Sequence, residues 1–159
     1  MEVVTETARV LLTAGILSAV ALTTFVWRVI RPGRAPHEYL IDQLRLSQVA
    51  ALLLAATGAV GIGVAVAAAG NQVASLEAAA GLTAVLASLI VLRSEPPAAL
   101  VLAAVFFLLH ALFDWAHRPG LISAQFVPHW WSMGCAIYNG YLAALCLLAR
   151  FLGKARWPK

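Results

Sequence analysis

The residues of this chain best suited to chemistry converge on one short stretch. His110, Asp114 and His117 follow the pattern H-x3-D-x2-H, and at 100° per residue they fall within about 60° of one another on a helix face. His129 follows Pro128 at the start of the next apolar run, and Glu77 opens an earlier one. Three imidazoles and two carboxylates are the donor set of borderline divalent ions such as zinc, copper or iron. Helical bundles build such centres from a histidine and a carboxylate one turn apart, facing groups on other helices. The expected ligands are therefore His110, Asp114, His117 and His129. Glu77 is either a further ligand or the acid–base group for a metal-bound water, the catalytic role. Met133, one turn beyond His129, would add a soft ligand for copper.

Other chemistries compete for the same residues. A b-type haem needs two histidines from different helices at one depth, and His110 with His129 would serve only if the helix of His129 began earlier, near Ser123. Asp114 and Arg118 stand at i and i+4 and can neutralise each other without any cofactor. Cys135 and Cys146 lie eleven positions apart, roughly 16 Å along a helix, too far for a disulfide, and read as small core residues. Ser132, Cys135, Asn139 and Cys146 form a mildly polar face, with Tyr138 and Tyr141 beside it, and either line a shallow pocket or, for Asn139, make an interhelical hydrogen bond.

These residues must be positioned inside an apolar chain. Of 159 residues 62% are hydrophobic and 11% charged, too few polar groups to cover a soluble globule. The composition predicts an all-α, polytopic membrane protein, one domain over residues 1–159. Its five spans are expected at about 9–30, 46–69, 73–92, 97–117 and 128–150. Gly70 to Gln72 and the Arg93 to Pro97 turn make neighbouring spans antiparallel, with prolines opening the fourth helix. The connection from Arg31 to Arg45, with His37, Glu38, Asp42 and Gln43, reads as the solvated, basic start of the second helix.

Nine Lys and Arg fall on one side of this arrangement and two, Arg9 and Arg118, on the other. The imbalance places the amino terminus outside and the carboxyl terminus in the cytoplasm, in a plasma membrane or a bacterial inner membrane. Basic residues that report topology leave no reason to expect a nucleic-acid partner. The first run begins with Glu2 and Glu6, not a basic segment, and reads as a retained anchor, not a cleaved signal. Trp115, Trp130 and Trp131 mark one interface, Trp27 and Trp157 the other. Small residues at Ala55, Ala59, Gly63 and Ala67, with Gly58 and Gly61 beside them, and at Ala80, Gly81, Ala84 and Ser88 predict a tight hairpin of the second and third spans.

The run D-x2-H-x11-H from Asp114 through His117 to His129 is loosely similar to the membrane metal site in the C subunit of copper monooxygenases that oxidise methane or ammonia. It covers about sixteen residues and differs by one residue in each interval, and no function is carried over from it. The leading expectation is a metal-binding membrane protein, a small metalloenzyme or a subunit of a membrane oxidoreductase complex. The alternatives are a cofactor-free assembly subunit of a larger membrane complex, a haem electron-transfer subunit and a small transporter. Its expected partners are the bilayer and either other membrane subunits or further copies of itself.

Overall fold

A computed structural model of the chain describes residues 2–33, 35–70, 72–117 and 128–154. They form five helices: α1 (Glu2–Val29), α2 (Pro36–Ala67), α3 (Gln72–Arg93), α4 (Pro96–Ala116) and α5 (His129–Lys154). All five are long and apolar enough to span a membrane, and no strand occurs among the described residues. Away from their ends, helices satisfy their backbone groups within their own segment, which is what a hydrocarbon medium demands.

The turns follow local chemistry. Pro36 and Pro96 each open a helix, where the missing N–H is no loss. Glu38 closes the start of α2, its carboxylate accepting the backbone N–H of Ala35 at 3.3 Å. Between α2 and α3, Gly70 takes φ +92°, a conformation that favours glycine.

The α2–α3 hairpin exists, but its α2 seam is not the expected row. Ala59, Gly63 and Ala67 are exposed, while Ala51, Leu54, Gly58, Gly61 and Ala65 are buried. The reason is backbone approach. A methyl group placed on Gly58 would stand 2.5 Å from the Gly81 carbonyl oxygen, and one on Gly81 would stand 2.6 Å from that of Gly58. Two helices meet closest where neither has a Cβ, so the row bearing the glycines wins over the row of alanines. On α3, Gly81 meets α2 as expected, and Ala84 and Ser88 are buried, whereas Ala80 is only half-buried.

Leu54, Val91, Leu100, Ala103, Phe107, Leu142 and Ala149 fill the centre between α2, α3, α4 and α5. Helix α1 is a peripheral fifth member. It lends Val26 and Val29 to that core, and its Ser18 and Thr23 hydroxyls meet the phenols of Tyr138 and Tyr141 on α5. Most of its apolar side chains face outward, Val10 and Leu12 among them. The two tyrosines thus hold α1 to α5.

The start of α2 is helical as expected, but it is not wholly solvated. His37 and Glu38 are exposed, yet Asp42 and Gln43 are buried. The Gln43 amide donates to the Tyr39 hydroxyl at 2.6 Å, and that hydroxyl donates to the Ala149 carbonyl of α5 at 3.2 Å. A polar relay between helices removes the need for water there.

The seam yields a direct test. Gly58→Ala is expected to cost about 1–3 kcal/mol, the range for overpacking a tight contact. Gly63→Ala meets no atom within 4 Å and is expected to be neutral or stabilising by up to about 1 kcal/mol. Thermal unfolding in detergent separates the two, and equal effects would mean that the glycine contact does not set the hairpin.

Candidate functional site at the α4–α5 end of the bundle

Four of the five expected site residues gather where α4 ends and α3 begins. Glu77 lies in the second turn of α3, and His110 and Asp114 lie one turn apart in the last part of α4. His117 caps that helix. The Gly58–Gly81 contact seats α3 against α2, and Glu77 stands one turn before Gly81, at the end next to α4.

Glu77 and His117 make a closed pair. His117 Nε2 lies 2.7 Å from Glu77 Oε1, and the two residues are 2% and 6% exposed, respectively. The other ring nitrogen, Nδ1, lies 3.0 Å from the Phe113 carbonyl oxygen. A carbonyl can only accept, so Nδ1 carries a hydrogen and satisfies one of the orphan carbonyls at the end of α4. Nε2 and Oε1 can then approach so closely only if one of them carries a proton, because two bare acceptors repel. The carboxylate oxygen sits off the ring N–H axis, leaving Nε2 without an aligned hydrogen bond, so the contact is an ion pair more than a directed bond. Phe113 packs edge-on against the ring, with centroids 4.7 Å apart.

His110 and Asp114 make an open pair. Asp114 Oδ2 accepts the amide of Asn139 on α5 at 2.9 Å, so Asn139 is the interhelical hydrogen bond that a lone amide in a span suggests. Asp114 Oδ1 lies 3.8 Å from His110 Nε2, beyond hydrogen-bond length, and the two side chains are 13% and 14% exposed. His110 also lines a cleft of about 130 Å³ with Phe106 and Phe113 of α4 and Ala80, Thr83 and Ala84 of α3.

His129 stands apart from both pairs. It is exposed as the first residue of α5, and what joins it to the site is its backbone. The Ser132 hydroxyl lies 3.1 Å from the His129 carbonyl and 3.4 Å from the His117 carbonyl. Met133 is half-buried, Cys135 likewise, and Cys146 is buried; both thiols are free. Arg118, the expected partner of Asp114, and Ser123 and Trp157 lie outside the described residues. Among the described residues no three histidine, cysteine or carboxylate groups stand together as a metal site. The expected ligand set is divided into a closed pair, an open pair and an exposed histidine.

Two partners went unread in the sequence, and a third, Ser132, was read only as part of a polar face of α5. Ser132 is buried and bridges the α4 and α5 ends, while Ser18 and Thr23 receive the tyrosines. Hydroxyl residues are common in apolar helices, where they bond to their own preceding turn, as Thr13, Thr24 and Thr83 do here. Sequence therefore offers no signal that separates a bridging hydroxyl from a self-satisfied one. Compared with protein-family models, curated proteins and solved structures, the chain matches none.

The closed pair gives the bundle a pH dependence. Contact with the Glu77 carboxylate raises the His117 imidazole above its ordinary 6.5, with burial opposing and the Phe113 carbonyl assisting. A raised value means that the stabilisation is complete below about 6.5 and fades as pH rises through the higher folded-state value. Thermal stability is expected to fall across that window in the wild type. In Glu77→Gln it should begin lower and change less, and an unchanged pH profile in that variant would show that the pair does not carry the effect.

Proposed function

We propose that this chain, with five helices apolar enough to span a membrane, works by taking up and releasing a proton at its α4–α5 end. Asp114 and His110 are the exchanging pair. The observation that carries this is the company Asp114 keeps. Inside an apolar helix it meets a neutral amide at 2.9 Å and, on its other oxygen, an imidazole at 3.8 Å. Ionisable groups in spans are costly and mark proton or substrate sites by default. A carboxyl and an imidazole at this spacing reach zero net charge in two ways, as an ion pair or as neutral acid and neutral ring. A shift of one proton between them leaves the net charge unchanged.

Glu77, His117 and Asn139 act as positioning residues. Asn139 fixes one carboxylate oxygen, and the closed pair holds the end of α4 against α3. Below His110 the bundle is filled by Phe107, Leu54 and Leu142, which favours exchange with one face of the protein over conduction across it. The protein would couple protonation to a ligand or a partner at that face.

A second reading rests on the same i, i+4 unit. A histidine and a carboxylate one turn apart beside an open cleft are also the start of a divalent-metal site in a bundle. That reading requires His117 to leave Glu77, or His129 to turn inward, with Glu77 then free as the acid–base group.

Infrared difference spectra of the protein in lipid nanodiscs, recorded from about pH 5 to about pH 9 to bracket imidazole titration, test the proposal. A carboxylic-acid carbonyl band is expected to titrate in the wild type, to vanish in Asp114→Asn and to shift its midpoint in His110→Gln. A spectrum that does not change with pH removes the proton reading. Elemental analysis of the same samples decides the second reading: near-stoichiometric zinc, copper or iron that is lost in His110→Ala would put metal binding in its place. A Soret band would instead point to haem.

A further inference from the structure

The cleft beside His110 is left unexplained by proton exchange alone. It lies between α3 and α4, with Ala80 and Ala84 on one wall and Phe106 and Phe113 on the other. Thr83 and Leu109, which also line it, are exposed on the outside of the bundle. Its outer lining is thus the exposed Leu109 beside Thr83, so it opens on the lipid-facing side of two apolar helices. The Thr83 hydroxyl gives its hydrogen to the Ala79 carbonyl at 2.7 Å. The cleft therefore offers one side-chain donor, the imidazole of His110.

His110 needs a partner. Its contact with Asp114, at 3.8 Å, is too long for a hydrogen bond, and no hydrogen bond to it is made among the described residues. Where the surroundings are apolar and water is scarce, a polar group without a partner is costly. Size narrows the occupant. The cleft measures about 130 Å³, and a cavity of about 150 Å³ holds one benzene. Because the cleft is open on its outer side, a space of this size suits a single six-membered ring and nothing larger, flanked by two aromatic side chains that favour a flat face or edge.

We propose that the α3–α4 cleft binds the oxygen-bearing single ring of a lipophilic quinone or phenol, reached sideways from the bilayer, with His110 hydrogen-bonding to the ring oxygen and the alkyl tail leaving past exposed Leu109. Small Ala80 and Ala84 make room for the ring. The proposal concerns binding and goes beyond the proton reading, on which it does not depend.

The test is photolabelling of the protein in nanodiscs with an alkylphenol bearing a diazirine, competed by a decyl-substituted benzoquinone in one arm and by 4-decylphenol in the other. Labelled peptides are expected within residues 80–84 and 106–113, with competition by at least one of the two compounds. His110→Phe keeps a ring but removes the donor and should weaken competition about tenfold, as should Thr83→Phe, which narrows the mouth from an exposed position compatible with folding. Labelling that neither compound displaces, or that both variants leave unchanged, overturns the proposal. The infrared titration is made without added ring compound, so loss of the proton reading and loss of this one are separately visible.

Discussion

The backbone contact between Gly58 and Gly81 is the constraint on which the rest of the bundle depends. In an apolar medium there is no water to expel, so helices hold together by how closely they fit. Removing two Cβ atoms at one crossing lets α2 and α3 approach until carbonyl oxygens would touch any added methyl. That approach sets where α3 sits along α2. One turn away, it also sets the position from which Glu77 reaches the end of α4. The buried carboxylate is thus placed by packing, and its contact with His117 closes the α3–α4 side of the bundle.

Polar groups elsewhere follow the same economy of partners. At the far end of the bundle, Gln43, Tyr39 and the Ala149 carbonyl form a relay between α2 and α5. On the side, Tyr138 and Tyr141 find hydroxyls on α1. Each contact satisfies groups that would otherwise face apolar surroundings, and together they tie α5 to α2 and to α1. Helix α1, with little buried apolar surface of its own, is held chiefly by the tyrosines and by Val26 and Val29.

Much of this architecture was legible in the sequence, because long apolar runs and proline or glycine breaks are strong local signals. The five helices, the Pro96 opening of α4 and the α2–α3 hairpin could all be read from them. The seam of the hairpin could not, since Ala55, Ala59, Gly63 and Ala67 repeat as regularly as the true row; only the facing helix decides between them. The same holds at the site. The helical period brings His110, Asp114 and His117 to one face, but whether two groups pair, bridge or stand apart is fixed by facing helices. Sequence spacing made Glu77, His110, Asp114, His117 and His129 one set, and three-dimensional packing divides it. Asp42 and Gln43 show the converse: polar residues in a basic segment read as solvated, yet both are buried once the helices are packed.

The two acid–imidazole pairs differ in a way that assigns them different work. Glu77 and His117 are in contact and almost wholly enclosed. Breaking such a pair leaves an uncompensated charge and costs about 3–5 kcal/mol, so it is suited to hold helices and unsuited to changing state often. His110 and Asp114 are separated by 3.8 Å, partly exposed and bordered by a cleft. That gap leaves each partner able to accept a proton, a water or a ligand without first breaking a bond. A rigid pair beside a loose one gives the loose one a defined geometry from which to act, since Phe113 packs against both imidazoles and Asn139 fixes the carboxylate from a third helix. The closed pair's stability is therefore what permits the open pair to remain unsatisfied.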